Sequence, residues 1–255
     1  LSRNGWLRKF KTIADPSSLK FKENDSLLGF VRANTRDCVA IFTSFGMSYV
    51  QRVLNLPYTR GGFGDPVQNL FKFEDGERVI NIISLDPREI AAALNIEQGS
   101  RPANDAQKKL NFDDHKELEA MVVSDSGYGF RFPLSNLNET TRSGKKVMSL
   151  KDDDRMAGIS LVTKGHVFLV SASGKGMVIP IDEVSVLGSA GMGVRLMKLT
   201  DCALAAFKLV KPKETITLVF DDGSQKEVSL KDVPIYQRGS QGVVISKRKK
   251  VTGII

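Results

Sequence analysis

Four stretches of the chain share one pattern of apolar and polar positions: three or four apolar residues, a short polar turn, then glycine. They are "VAIFTSFG" ending at Gly46, "AMVVSDSG" at Gly127, "VFLVSASG" at Gly174 and "TLVFDDG" at Gly223. A fifth, "LSRNG" at Gly5, has only its last part in the chain. Each predicts a strand entering a tight turn in which glycine takes the φ > 0 position. Beyond the turn the apolar positions alternate: Phe130, Phe132 and Leu134 after Gly127, Met177, Ile179 and Ile181 after Gly174, Val228 and Leu230 after Gly223. That is the period of a half-buried strand, so each stretch predicts a hairpin.

A glycine-rich loop follows each hairpin at a nearly constant offset. Arg60 of "RGGFG" lies 14 residues after Gly46, Arg142 of "RSGKK" 15 after Gly127, Gly188 of "GSAGMG" 14 after Gly174, and Arg238 of "YQRGSQG" 15 after Gly223. Apolar stretches come next: "VINII", "KVMSL", "VRLMKL" and "VVIS". The hairpin glycines repeat every 47 residues (127 to 174) and 49 (174 to 223). The step from 5 to 46 is 41, and that from 46 to 127 is 81, one period plus an insertion. The repeats span about 1–37, 38–87, 116–166, 167–213 and 214–255, with the insertion at 88–118. The insertion opens with a short helix: Asp86 as N-cap, Pro87 at the first helical position, Gly99 as the stop. The rest of it is polar and loop-like. Five units of four-strand size predict one disc-shaped all-β domain of five blades over 1–255, because radial repetition leaves only short, protected edges.

Composition narrows the function. No apolar run approaches the ~18 residues of a membrane helix and no secretory leader opens the chain. A start at Leu1 and an end at Ile255 inside a strand-like run read as a piece of a larger protein. Cys38 and Cys202 lie beside apolar runs and read as buried small hydrophobes in a reducing compartment, with a disulfide left open by spacing alone. The 37 Lys and Arg exceed the 29 Asp and Glu, for a net charge of +8. That excess points to a polyanionic partner.

Catalytic chemistry finds no constellation. None of the glycine loops has the strand–loop–helix context or the Gly-Lys-Ser/Thr ending of a phosphate cradle. His115 and His166 have no third ligand at zinc spacing. Asp152, Asp153 and Asp154 could hold a cation, but read as the solvated acidic tip of a turn. What remains is basic residues at recurring offsets. Arg8 and Lys9 follow the first turn and Arg131 the third; the loops hold Arg60, Arg142, Lys145, Lys146 and Arg238. In the last repeat "ISKRKKVTGI" sets Lys247, Arg248, Lys249 and Lys250 where the third has "LKDDDRMAGI". Arginine beside glycine can bring its fork and nearby N–H groups to phosphate oxygens.

"SRNGWLRKF", "VSDSGYGFRFPLSNLNETTRSGKKVMSL" and "VSASGKGMVIPIDEV" resemble the repeats of the C-terminal β-pinwheel domain of bacterial type IIA topoisomerase A subunits. The resemblance covers all but the insertion. It implies a five-bladed pinwheel whose blades are each completed by a strand from a neighbour, with duplex DNA bound and bent on a basic rim. That rim would comprise Arg3, Arg8, Lys9, Lys20, Lys22, Arg60, Arg131, Arg142, Lys145, Lys146, Arg238, Lys247, Arg248, Lys249 and Lys250. Repeat four, with Met177, Val178 and Gly188, would contribute least. Gyrase carries a Gln-Arg-Arg-Gly-Gly-x-Gly box in its first repeat; here Leu19 and Lys20 of "SSLKFKEND" stand at that place, and "YQRGSQG" is a reduced relative of the box in the fifth repeat. The chain is therefore more similar to the topoisomerase IV A subunit than to gyrase. The resemblance further implies no catalytic group, metal or cofactor in this domain, a parent enzyme using ATP and Mg through other regions, and a cytoplasmic, nucleoid-associated protein. Partners would be duplex DNA, the B subunit and the topoisomerase core. As an alternative reading, the insertion at 88–118 interrupts the array and exposes new surface, as in an interaction propeller whose basic rim docks an acidic partner such as a chromosome-organising protein.

Overall fold

The computed structural model describes residues 1–12, 15–58, 62–94, 118–151, 153–163, 165–211, 213–247 and 249–255. In chain order, repeat one holds β1 (Trp6–Leu7). Repeat two holds β2 (Cys38–Thr43), β3 (Met47–Arg52), β4 (Asp65–Pro66), the one-turn helix α1 (Val67–Leu70) and β5 (Val79–Ser84), and is followed by α2 (Pro87–Ala93). Repeat three holds β6 (Glu119–Ser124), β7 (Tyr128–Pro133), β8 (Lys145–Lys146) and β9 (Met156–Leu161). Repeat four holds β10 (His166–Ser171), β11 (Lys175–Pro180), β12 (Val194–Arg195) and β13 (Leu204–Val210). Repeat five holds β14 (Thr215–Phe220), β15 (Gln225–Ser229), β16 (Val243–Val244) and β17 (Val251–Ile254). No helix among the described residues is long and apolar enough to cross a membrane.

These strands form five antiparallel sheets, and each of four sheets is finished by the following repeat. The orders are β1-β4, β5-β2-β3-β8, β12-β7-β6-β9, β13-β10-β11-β16 and β15-β14-β17. The exchanged strands β4, β8, β12 and β16 are two residues long and pair at one register: Trp6 with Pro66, Met47 with Lys146, Tyr128 with Arg195, Lys175 with Val244. The chain divides into two compact units. One comprises residues 1–118 and 134–146, the other 119–133 and 147–255.

The predicted hairpins recur five times with the same turn. The N–H groups of Gly5, Gly46, Gly127, Gly174 and Gly223 donate to the residue three before, at 2.9–3.1 Å, and every one of these glycines has φ between 74° and 81°. The residue two before each glycine donates to the connection entering the returning strand: Arg3 to Ser26 O, Ser44 to Arg78 O, Asp125 to Arg155 O, Ala172 to Ala203 O and Asp221 to Lys250 O.

The apolar stretches "KVMSL", "VRLMKL" and "VVIS" enter the exchanged strands, whereas "VINII" lies on the returning strand β5. The sequence pattern aligns unlike elements here, because both are apolar and both follow the loop. The loops prepare the exchange. Gly64, Gly144, Gly193 and Gly242 each stand one residue before an exchanged strand with φ of 67° to 94°. A Cβ on them would approach a carbonyl oxygen of the strand they join: Leu7 O at 2.3 Å, Ser48 O at 2.9 Å, Gly129 O at 2.3 Å and Gly176 O at 2.5 Å. No other residue fits such a close approach.

Burial explains why the first strand of each hairpin is almost wholly apolar. In the second unit Val167 and Leu169 of β10 pack with Met121, Val123, Met177 and Leu196, while Phe168 and Val170 pack with Ile216, Leu218 and Phe220. Both faces of β10 are covered, so both need apolar residues. β14 differs: Ile216, Leu218 and Phe220 are buried, and Thr215 is exposed. In the first unit Leu7, Val39, Ile41, Tyr49, Val67 and Phe71 form the core. Cys38 and Cys202 are free and half-buried rather than buried. The insertion begins as expected: Asp86, 2% exposed, accepts from Arg88 N–H, with Pro87 at the first helical position. The expected stop at Gly99, and the remainder to residue 117, lie outside the described residues.

Two outcomes follow. Gly193→Ala combines a left-handed conformation with a carbonyl clash and should destabilise the chain by about 2 kcal/mol or more. Gly223→Ala, where a Cβ meets nothing within 4 Å, should cost only the conformational ~1 kcal/mol; urea midpoints compare the two. Arg88 beside Asp86 holds that carboxyl down at about 2. A depressed carboxylate stabilises the fold above its unfolded pKa of about 3.9 and loses that contribution as pH falls through the folded value. The urea midpoint should therefore fall between about pH 4 and pH 2, and fall less in Asp86→Asn.

Candidate nucleic-acid interface

Pairing register decides which basic residues point outward. In an exchanged strand the second residue stands opposite the residue that follows the hairpin glycine. Lys146 on β8 and Arg195 on β12 hold this position, each two residues after its left-handed glycine, and both are exposed, as is Lys145. Arg195 lies over the Tyr128 ring at 5.3 Å and donates to Tyr128 Oη at 3.2 Å and 2.7 Å. Lys151 approaches the same ring at 5.7 Å. Arg195 is absent from the sequence-based set, which followed the loop offset to Gly188; the signal that finds it is the basic residue two after Gly144 and Gly193.

Several of the expected rim residues already bond protein atoms. Arg8 donates to Gly62 O and, at 2.7 Å, to Lys20 O, and lies over the Phe10 ring at 5.0 Å. Lys9 Nζ donates to Val53 O and Leu54 O, both at 2.8 Å. Arg131 is 15% exposed, pairs with Glu119 at 2.8 Å and donates to Val184 O at 2.8 Å. Arg142 donates to Leu70 O and Asn69 O, satisfying carbonyls at the end of α1. Lys249 pairs with Asp222 at 2.7 Å and donates to Ser224 Oγ; this contact holds the Asp222 carboxyl far below its usual range.

The others are outward. Arg3, Lys20, Lys22, Arg238, Lys247 and Lys250 are exposed. Lys22 Nζ sits 3.4 Å from the Trp6 ring centre. Lys145 is exposed while its Nζ donates to Asn136 O at 3.1 Å. In "YQRGSQG", Tyr236 N–H donates to Val178 O and Gly239 N–H to Leu196 O, and Arg238 N–H donates to Glu183 Oε2 at 2.6 Å. The loop is anchored through its backbone, with the Arg238 side chain exposed. Arg60 and Arg248 fall outside the described residues.

Asp154 departs from the expected solvated tip. It is 7% exposed and accepts from Ser126 N–H and Arg155 N–H, both at 2.9 Å. Glu77 has the same place two residues before β5, where it accepts from Thr43 Oγ1 at 2.6 Å and Tyr49 Oη at 3.0 Å. Asp25 accepts from Asn4 N–H at 3.0 Å, and in repeat five the polarity is reversed, with Lys249 reaching Asp222. These acids brace hairpin turns. Burial followed by the Glu77 charge pushes the Tyr49 hydroxyl well above its usual range, so it remains a donor at neutral pH.

Comparison with known proteins follows the same repeats. The family described as the DNA gyrase C-terminal domain, beta-propeller, matches residues 119–163, 165–203 and 228–250. The A subunit of DNA gyrase from Salmonella typhimurium is 26% identical over 242 residues, covering 94% of this chain and 25% of that protein. The A subunit of DNA topoisomerase 4 from Caulobacter vibrioides is 28% identical over 198 residues, covering 77% and 22%. The chain thus spans about a quarter of the length of these relatives. Among solved structures, the C-terminal domain of DNA topoisomerase IV superposes with a TM-score of 0.79 at 20% identity, covering 100% of this chain and 75% of that one. The E. coli ParC C-terminal domain superposes with a TM-score of 0.74 at 18% identity, covering 100% and 96%. The fold is therefore the β-pinwheel.

Arg131→Ala should lower stability by about 1–3 kcal/mol, since a half-buried carboxylate and a backbone carbonyl each lose a charged donor. Alanine at both Lys145 and Lys146 should leave the unfolding free energy from urea titration within about 0.5 kcal/mol of the parent, as exposed surface positions do.

Proposed function

We propose that this chain is the C-terminal domain of a type IIA topoisomerase A subunit and a DNA-binding domain that engages and bends duplex DNA for a topoisomerase core. The carrying observation is the basic residue at one register position of the exchanged strands, Lys146 on β8 and Arg195 on β12, exposed in a chain of net charge +8. These side chains stand on hydrogen-bonded strands, so their positions are set before a ligand arrives. Arg195 is further ordered by Tyr128, which leaves the outer side of its guanidinium for a phosphate. Contacts of this kind reach the backbone of DNA, not base edges, so binding is largely independent of sequence.

Within this reading the parent is a type II topoisomerase, with the chain coming from a topoisomerase IV A subunit rather than from its gyrase counterpart. The first repeat supports that preference: 14 to 15 residues after Gly5 it holds Leu19 and Lys20 of "SSLKFKEND", where a gyrase-type wrapping box would hold two arginines. Strand passage, ATP and Mg belong to other regions of such an enzyme, and the protein partners we propose are its core and its B subunit. No feature of the described residues supports the chromosome-organising partner, and we leave it out of the proposal.

Affinity for duplex DNA should fall roughly 10³–10⁵-fold between 50 and 200 mM salt if about six to ten phosphates are contacted. Arg195→Ala and Arg238→Ala should each lower the salt slope by about one unit and weaken all sequences alike. Arg131→Ala should leave the slope unchanged. Binding that ignores salt would sink the reading. Ligation of nicked circles with the domain separates the two parents: a large linking change of fixed sign, abolished by Arg238→Ala at unchanged affinity, means gyrase-type wrapping by the "YQRGSQG" loop.

A further inference from the structure

Four of the five sheets end on an exchanged strand, and the sheet β15-β14-β17 does not. The register defines the edge left on β15. Phe220 N–H donates to Ser224 O and Leu230 N–H to Glu214 O. By alternation the backbone groups of Ser224, Lys226 and Val228 face β14, and those of Gln225, Glu227 and Ser229 point away from it.

In three of the other sheets the hairpin glycine carbonyl is taken, and in the sheet of β3, where Gly46 O has no such bond among the described residues, Val50 O four residues on accepts from Thr140 N–H. Gly5 O accepts from Val67 N–H, Gly127 O from Leu196 and Met197, and Gly174 O from Ile245 and Ser246. Four residues past the glycine, Arg131 O accepts from Leu187 and Val178 O from Tyr236. Among the described residues neither Gly223 O nor Glu227 O has such a partner. The space is open as well. A Cβ on Gly127 would lie 2.7 Å from Met197 O and one on Gly174 2.3 Å from Ser246 O, whereas on Gly223 it meets nothing within 4 Å.

We infer that the edge of β15 docks an extended segment of another polypeptide, with a glycine followed by two extended residues, the second of them acidic. The four exchanges within this chain show what such an edge accepts: a left-handed glycine laid on the carbonyl of the second residue after the hairpin glycine, then two paired residues. In β15 that carbonyl is Gln225 O. The acidic residue follows from charge. A groove of about 610 Å³ beside the edge is lined by Lys226, Lys247 and Lys249, with Phe220, Val244 and Ile245 as its apolar wall. Lys249 is paired with Asp222, while Lys247 is exposed and Lys226, which donates to the neutral Ile245 O at 2.7 Å, keeps its charge unpaired among the described residues. The second extended residue would stand opposite Ser224, on the sheet face that carries Lys226. A second copy's β15 is a poor occupant. Antiparallel pairing centred on the edge places either Lys226 opposite Lys226 or Glu227 opposite Glu227, and like charges directly opposite repel.

The test titrates the full chain with a synthetic peptide of residues 238–246, RGSQGVVIS, carrying Val244→Glu. One peptide should bind per chain, and Gly242→Val in the peptide should weaken it about ten-fold, the equivalent of the 1–2 kcal/mol cost of a left-handed side chain. Gln225→Pro in the protein removes only an outward N–H, and should abolish binding at an unchanged thermal midpoint. Lys226→Ala should weaken the glutamate peptide several-fold and leave the Val244 peptide unaffected. Should Gln225→Pro fail to fold, hydrogen exchange replaces it: the Gln225 and Glu227 amides gain protection on binding and the Lys226 amide does not. No binding at about 1 mM, or binding indifferent to both the glycine and the edge, overturns the inference.

Discussion

The structure depends on one close approach: a glycine in the left-handed conformation laid against the carbonyl of a strand from the repeat before. Gly64, Gly144, Gly193 and Gly242 all make it. The approach lets two residues of one repeat join the sheet of another, and beyond β4, β12 and β16 it also places the next residues over that hairpin's glycine carbonyl. A side chain at that glycine would push the exchanged strand off its partner, and the sheet would lose its outer ladder. Glycine thus serves two distinct ends in each repeat, turning the hairpin and admitting the exchange. The second has a carbonyl clash as its reason at all four positions, whereas among the hairpin glycines Gly127 and Gly174 also face a carbonyl and Gly223 faces open space.

From that joint the layering follows. Strands such as β10 are covered on both faces, so successive residues serve different cores: Val167 and Leu169 one, Phe168 and Val170 the other. Truncating a large residue here, such as Phe168, would cost about 3–5 kcal/mol through lost burial and a residual cavity. The polar groups that enter this interior arrive with partners. Glu77 bonds Thr43 and Tyr49, and Asp154 bonds the amides of Ser126 and Arg155, so neither leaves a carboxylate buried without donors.

Electrostatics is divided between structure and surface. Arg131, Arg142, Arg8, Lys9 and Lys249 satisfy carbonyls and carboxylates, which the many loops of a small-blade fold leave in number. Lys146 and Arg195 stand instead on exchanged strands with their charge toward solvent. Sharing one net charge between these tasks means that counting basic residues overstates the groups available to a polyanion. A removed brace acts on stability and a removed outward cation on affinity.

Much of this was legible in the chain. The "VSDSG" and "VSASG" turns set the five hairpins, because a φ near 80° in a tight turn is nearly reserved for glycine. The spacing of 47 and 49 residues set the repeat. Asp86 and Pro87 set the start of α2. The resemblance of the repeats to the pinwheel could also be read from these local patterns, since each lies within a single stretch of 9 to 28 consecutive residues. What the chain could not show was which repeat a segment joins. "KVMSL" and "VINII" look alike as apolar stretches, yet one enters an exchanged strand and the other a returning strand, because pairing is a contact between residues far apart in sequence. For the same reason Asp154 read as a solvated tip and Arg131 as a rim cation, when their partners stand elsewhere in the chain, Ser126 in the turn between β6 and β7 and Glu119 on β6. Local sequence determines conformation through backbone sterics and periodic burial. Which charges are spent inside the fold, and which edge stays bare, depends on neighbours that only the tertiary structure brings together.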